Sequence, residues 1–199
     1  MADKVRALVE GEFGQIPAQL KPFIEKGAKD DPDQIFMTLS YMAYAYGRAF
    51  TEFAESALDD WPKQNYIVQP MVYLARHSME LYLKWAISEY QNFLGDHSEN
   101  ADHHNLTKLW NTLVKLRAAA GAPIDDEKSK HCLKLLNHIN QTDPEGEQFR
   151  YPHKKDGEPF ELSKVDLEGL VKAHGFVSLY AEASVDMIPE LAEEATEEE

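Results

Sequence analysis

The sequence predicts an all-α fold. Apolar residues recur with a spacing near 3.6 along most of the 199 residues, which is the period of a helix with one buried face. No alternating, β-branched run bounded by turn residues occurs, so a sheet is not expected. With 43% hydrophobic residues, the chain suffices for one core and is short for two. We predict a single antiparallel helical bundle over 32–185, an N-terminal helical segment over 1–31 and an acidic tail over 186–199.

Breakers and caps place the first helices. Short helices are expected over residues 3–12 and 17–26. Asp31 is then expected to cap a long helix that carries Pro32 in its first turn and ends near Leu58. Small residues on this helix predict the close approach of a neighbouring helix. They are Ala43, Ala45, Gly47 and Ala49.

Three further helices follow the same pattern. Pro70 is placed near a helix start, because its missing N–H would break the hydrogen-bond ladder deeper inside. A separate helical turn is expected over 63–69, and a polar loop over 95–104. The helices are predicted over 70–94, from 106 to a turn at 121–123, and from Asp125 or Asp126 to Ile139.

A long loop is predicted before the last helix. Between Thr142 and Leu162 the helical pattern lapses. Ser163 is a favourable cap, and Asp166 three residues later completes a signal that resembles a capping box. The closing helix is therefore expected over 165–191.

The charge of the chain is strongly acidic and unevenly distributed. A formal charge of −15 argues against a general nucleic-acid binder, which needs clustered Lys and Arg. Residues 182–199 hold eight acids and no base, whereas residues 61–181 are nearly neutral and contain all eight histidines. We interpret the acidic end as a solvated, frayed terminus; the alternative is a tail that binds a basic partner.

Cysteine content and hydropathy indicate the compartment. The single cysteine, Cys132, excludes an intramolecular disulfide framework and fits a reducing cytoplasm. The N-terminus lacks the apolar region of a secretory signal, and no apolar run reaches the roughly 18 to 20 residues that span a bilayer. We expect a soluble, cytoplasmic protein with no membrane partner.

The helix after Pro70 carries a charged stripe on an otherwise apolar surface. Arg76, Glu80 and Lys84 stack one above another, with Tyr73 and His77 beside them. A helix that is apolar over most of its circumference sits inside a bundle, where charged groups must be paired or solvated in a cleft. The alternative is a row of ordinary surface ion pairs.

The long loop contains a basic and aromatic run. Arg150 can fork onto a phosphate or carboxylate, Tyr151 can stack, and His153 can exchange protons near neutral pH, with Lys154 adjacent. A site forms if this loop folds back over the charged stripe. The alternative is a docking hairpin in which Phe149 and Tyr151 pack and the lysines are solvated.

Histidines outside the stripe suggest no metal centre. His104 precedes the helix that starts near Leu106, and either approaches the stripe across this junction or belongs to a plain capping segment. No zinc-ribbon, HExxH or repeated ExxH spacing occurs, and neither does a phosphate-binding glycine loop. We predict no metal and no other cofactor.

Three segments resemble HEPN-type helical domains. They are the Arg-His-x-x-Glu-Leu-x-Leu-Lys helix at 76–84, the His-Asn-Leu-x-x-Leu-Trp helix start at 104–110 and the Asp-x-x-x-x-x-Phe-Arg-Tyr-Pro loop at 143–152. The resemblance covers about residues 35–185. It implies a bundle that is frequently a homodimer, in a bacterial toxin-antitoxin, CRISPR or phage-defence setting, and that is a metal-independent endoribonuclease or a non-catalytic binding relative.

The resemblance also implies roles for the site residues. The usual family signature, Arg followed by His after four to six residues, is absent, so a site here must be assembled differently. His77 or His153 would then act as acid or base, and Arg76 or Arg150 would stabilise the phosphorane. The catalytic candidates are Arg76, His77, Glu80, Arg150 and His153, and the binding candidates are Tyr73, Lys84, His104, Tyr151 and Lys154.

Three functions are compatible with these observations. The first is a ribonuclease acting on RNA. The second is a non-catalytic module for a protein partner, such as an antitoxin or another defence-system component. The third is a sensor for a small anionic ligand such as a nucleotide.

Overall fold

The all-α prediction is confirmed. The computed structural model describes residues 32–59, 61, 65–124, 126–161 and 164–197, so the helices expected over 3–12 and 17–26 lie outside the described residues. Two 3₁₀ segments, Pro32–Met37 and Asn65–Ile67, accompany six α-helices in the described part. The helices are α1 (Leu39–Leu58), α2 (Val68–Leu94), α3 (Leu106–Ala119), α4 (Glu127–Thr142), α5 (Leu167–Asp186) and α6 (Ile188–Glu197).

Helix α2 is the centre of the compact unit formed by residues 35–199. It packs against α1, α3 and α5, and this agrees with its apolar residues being spread over most of its circumference. Pro70 lies in its first turn, as predicted, and Gly95 ends it in the left-handed conformation with φ 65°. Two charged side chains of α2, Arg76 and Glu80, are therefore buried.

Close packing of α1 on α2 depends on small side chains. Of the four small residues predicted to allow this approach, Ala43 and Gly47 are buried, whereas Ala45 and Ala49 are only partly buried. The Ser78 hydroxyl of α2 donates to the Ala43 carbonyl at 2.9 Å, and a Cβ built on Gly47 would lie only 3.0 Å from that hydroxyl. His174 of α5 lies 3.1 Å from the same hydroxyl, and burial lowers its pKa to about 4. A neutral imidazole thus joins three helices.

The start of α1 differs from the prediction. Residues 32–37 form a 3₁₀ segment, and the α-helix begins only at Leu39. Its cap is Thr38, whose hydroxyl accepts from the Tyr41 N–H at 3.3 Å, so the prediction of Asp31 as cap was wrong. Threonine fills the same role because its side-chain oxygen satisfies an otherwise unpaired N–H.

The end of the chain also differs from the prediction. The closing helix begins at Leu167 with Asp166 at the cap position, and it breaks at Met187. Pro189 explains the break, because proline has no N–H to donate to the carbonyl four residues earlier. The acidic end is not a frayed coil over its first part, since α6 is helical and Leu191 is 8% exposed within the main core.

The junction between α3 and α4 is held by a buried cation. Arg117 is only 3% exposed; its guanidinium donates to the Pro123 carbonyl at 2.7 Å and to the Tyr180 hydroxyl. That hydroxyl donates to Asp126 at 3.2 Å, and the other Asp126 oxygen accepts from the Ser129 N–H at 2.6 Å. Asp126, one of the two predicted caps, therefore starts α4.

None of the described helices is both long and apolar enough to cross a bilayer.

Candidate functional site

Arg76 lies inside the bundle, although it is permanently charged. Only 4% of the residue is exposed. Its Nη1 donates to Glu80 Oε2 at 3.2 Å, its Nη2 to the His104 carbonyl at 2.7 Å, and its Nε to the Asp143 carbonyl at 3.2 Å. One side chain of α2 therefore binds the start of α3 and the end of α4.

Glu80 is the acceptor around which the rest of the stripe gathers. Its Oε1 lies 3.0 Å from Lys84 Nζ and 2.9 Å from His104 Nδ1. Burial would raise the pKa of Glu80, but hydrogen bonds and charges from Lys84 and His104 outweigh it and hold that pKa below its usual value. His104 thus reaches the stripe, and the stripe is not a row of surface ion pairs.

Asp143 completes the charge balance and starts the long loop. Its Oδ2 lies 3.5 Å from Arg76 Nε, and its Oδ1 accepts from the N–H groups of Glu147 at 2.7 Å and Gln148 at 3.1 Å. Two cations, Arg76 and Lys84, thus face two carboxylates, Glu80 and Asp143. These four residues together with His104 form the Arg76 network.

Gly146 fits the turn closely against the Arg76 guanidinium. Its φ is 72°, a conformation that L side chains rarely adopt. A Cβ built at this position would lie 2.6 Å from Arg76 Nη1. The turn over 143–148 is therefore bound to α2 both by hydrogen bonds and by contact with the guanidinium.

Beside this network, aromatic rings line a more accessible part of α2. The His77 ring stacks on the Tyr73 ring, with centroids 5.5 Å apart and planes inclined by 9°. The His77 and Tyr46 rings are nearly perpendicular, with centroids 4.5 Å apart. Burial lowers the pKa of His77, although the nearby Glu80 charge acts in the opposite direction. The His77 imidazole is therefore neutral at pH 7.

The long loop places Arg150 next to these rings. Its guanidinium carbon lies 5.7 Å from the centre of the Tyr73 ring and 5.6 Å from that of Tyr151. Its Nε donates to the Gly146 carbonyl, which orients the side chain, and its Nη atoms have no partner among the described residues. The Tyr73–Arg150 surface consists of Tyr46, Tyr73, His77, Arg150 and Tyr151.

A pocket of about 380 Å³ adjoins Arg150 and Tyr151. Its lining includes both aromatic rings and polar side chains, and its volume is large enough for a nucleobase. Its remaining lining residues are Gln69, Gln148, Phe149, Pro152, Phe160 and Glu161.

His153 and Lys154 lie in the outer part of the loop. His153 pairs with Pro159 in an isolated bridge, and Lys154 Nζ lies 3.2 Å from Glu158. Among the described residues, no hydrogen bond, ion pair or ring contact joins either of them to Arg76, His77 or Arg150. The structure thus divides the ten predicted site residues into the Arg76 network, the Tyr73–Arg150 surface and this outer pair.

Sequence reasoning gave no functional role to three residues of these arrangements, nor to Arg117 at the junction of α3 and α4. Asp143, Gly146, Tyr46 and Arg117 are placed by contacts between distant parts of the chain. The Asp-Pro-Glu-Gly turn signal at 143–146 was the available indication for the first two, because Gly after such a run indicates a positive φ. No local pattern distinguishes Tyr46 or Arg117.

The described residues contain no group of three or more His, Cys, Asp or Glu side chains arranged to hold a metal ion.

No protein-family model, curated protein or solved structure matches the chain.

We predict that Gly146→Ala destabilises the protein more than Gly157→Ala. Both glycines have positive φ, 72° and 89°, so each alanine costs about 1 kcal/mol in backbone strain. Only at position 146 does the added Cβ meet Arg76, since nothing lies within 4 Å of one at position 157. The overlap adds about 1 to 3 kcal/mol. Equal losses in urea unfolding of the two variants would contradict the close fit of this turn.

Proposed function

We propose that this chain is a HEPN-like protein of a bacterial defence or toxin-antitoxin system that binds RNA or a nucleotide at the Tyr73–Arg150 surface. One observation carries the proposal: Arg150 is held against two tyrosine rings while its Nη atoms face no described partner. The resemblance of segments 76–84, 104–110 and 143–152 to HEPN domains supports the defence setting, with a homodimer and a protein partner as parts of the same proposal.

The chemistry of the surface suits a nucleotide. A guanidinium donates two parallel N–H bonds to a phosphate, and a fixed Nε leaves fewer rotamers to be ordered on binding. Tyr73 and Tyr151 offer ring faces on which bases stack, which is how proteins commonly hold single-stranded RNA. Burial raises the pKa of Tyr73, so its hydroxyl keeps its proton and remains available as a donor.

The charge around the surface limits the contact to few phosphates. Lys154 pairs with Glu158, and Lys155 Nζ lies 2.9 Å from Glu147, so Arg150 supplies the cation. A chain of net charge −15 would repel a long RNA tract. We therefore propose a site that contacts a single phosphate. For such a site, a plot of the logarithm of the association constant for single-stranded RNA against the logarithm of the salt concentration should have a slope of about −0.7.

RNA cleavage is the second candidate function, and the neutral His77 beside Arg150 favours it. His77 would remove the proton of a 2′-hydroxyl, and Arg150 would stabilise the charge of the phosphorane that follows attack on the adjacent phosphate. The bond between phosphorus and the 5′-oxygen would then break, the leaving oxygen would take a proton from water, and the products would be a 2′,3′-cyclic phosphate and a 5′-hydroxyl. Arg76 would act only through the fold, because it is buried and bound to other groups.

A non-catalytic interaction module is the third candidate. The buried Arg76 network favours it, because a fully paired network explains the charged stripe without any chemistry. In that case the acidic surface would bind a basic protein partner.

We predict that Arg150→Gln weakens binding of a fluorescein-labelled single-stranded RNA about tenfold, because a charge-assisted phosphate contact is lost. Fluorescence polarisation in EDTA measures the dissociation constant. Arg48→Gln is the matched control, because Arg48 is an exposed arginine on α1 that pairs with Glu52 at 3.0 Å. Equal affinities of the two variants would contradict the proposed site.

For the second candidate, we predict that His77→Ala slows cleavage of the same RNA in EDTA at least about 100-fold, the usual contribution of a general base. His97→Ala, in the polar loop after α2, is the control. Because burial lowers the pKa of His77, the rate should be constant near pH 7 and fall only in more acidic buffer. Cleavage that is unchanged in His77→Ala would exclude this histidine as the base.

A further inference from the structure

The pocket beside Arg150 is lined by two opposite charges that do not pair with each other. Among the described residues, Arg150 and Glu161 are the charged ones that line it. No ion pair joins the two side chains, and the Glu161 carboxylate accepts no hydrogen bond from a described residue. A molecule in this pocket therefore meets a cation and an unsatisfied carboxylate together.

Three other acids of the same loop are already satisfied by the loop itself. Glu147 lies 2.9 Å from Lys155 Nζ, and Glu158 lies 3.2 Å from Lys154 Nζ. Asp156 accepts from the Glu158 N–H at 3.1 Å. The carboxylate of Glu161 differs from these because it keeps its acceptor oxygens available for a ligand.

Hydrogen bonds hold the backbone of Glu161 in the wall of the pocket. Its carbonyl accepts from Gln148 Nε2 at 3.1 Å. The neighbouring Phe160 N–H donates to the Pro152 carbonyl at 3.2 Å. Since Gln148, Pro152 and Phe160 also line the pocket, these bonds join the two sides of the loop at the pocket itself.

A carboxylate discriminates among bases because it can only accept hydrogen bonds. The Watson–Crick edge of guanine presents two adjacent donors, N1–H and the N2 amino group. Adenine and cytosine place one amino donor beside an acceptor, and uracil places its one donor between two carbonyls. Guanine is therefore the common RNA base whose edge satisfies both oxygens of a carboxylate.

Gln69 is a polar group of the pocket that does not discriminate between purines. It lies in the first turn of α2 and is exposed. Its carboxamide can donate to O6 of guanine or, when turned over, accept from the amino group of adenine. Selection between the two purines therefore depends on Glu161.

We propose that the pocket beside Arg150 is specific for guanine and that Glu161 is the residue that selects this base. Arg150 binds the phosphate, and the Glu161 carboxylate accepts from N1–H and the N2 amino group. Because like charges repel, the carboxylate also keeps the phosphate at the Arg150 side of the pocket. This inference rests on the proposed RNA or nucleotide site and adds the identity of its base.

Three short fluorescein-labelled oligouridines test the proposal, with guanine, hypoxanthine or adenine as their central base. Fluorescence polarisation in EDTA measures their dissociation constants for the whole chain. The guanine RNA should bind at least about tenfold more tightly than the adenine RNA, which is the discrimination expected of a bidentate contact with a base. Hypoxanthine lacks only the N2 amino group of guanine, so its RNA should bind with intermediate affinity.

Two variants assign the preference to one carboxylate. Glu161→Gln should bring the guanine and adenine RNAs to within about twofold of each other, because a carboxamide replaces one acceptor with a donor. Glu158→Gln is the matched control, since it removes the same charge from the same loop at a residue that does not line the pocket. This control should keep the full preference for guanine.

The outcomes separate this inference from the proposed function on which it rests. Equal binding of the guanine and adenine RNAs to the unchanged protein, or a preference that survives Glu161→Gln, would overturn the guanine specificity alone. Binding of none of the three RNAs would overturn both proposals.

Discussion

The burial of Arg76 is the constraint on which the rest of this structure depends. A guanidinium taken out of water is stable only when carboxylates and carbonyls surround it, since breaking such a pair costs about 3 to 5 kcal/mol. Arg76 finds these groups on three elements: Glu80 on its own helix, the His104 carbonyl before α3, and Asp143 at the end of α4. The same contacts that neutralise the charge therefore fix where the helices begin and end.

The candidate functional surface follows from this anchoring. Asp143 holds the turn over 143–148 by two backbone N–H groups, and the Gly146 carbonyl in that turn accepts from Arg150. The buried charge thus orients the exposed one, which lies against the ring of Tyr73. The Arg76 network and the proposed binding surface are adjacent parts of one arrangement, which explains why residues of both fall on the charged stripe of α2.

Much of the fold could be predicted from the sequence, because helix positions depend on local information. The 3.6-residue pattern, Pro70 and Gly95 gave α2 almost completely, and Asp126 was one of two predicted caps for α4. Local signals failed where several competed: Thr38 replaced Asp31 as a cap, and Pro189 divided the last helix.

The site was less predictable, because its contacts join distant parts of the chain. Asp143 lies 67 residues from Arg76, and no spacing rule connects them.

The most direct test of the role of the buried Arg76–Asp143 pair is a double-mutant cycle of Arg76→Met and Asp143→Asn, with the free energy of unfolding measured in urea. The double variant should lose about 1 to 3 kcal/mol less than the sum of the single losses, because removing both partners leaves no unpaired buried charge. Losses that add to within about 0.5 kcal/mol would contradict the central role of this pair.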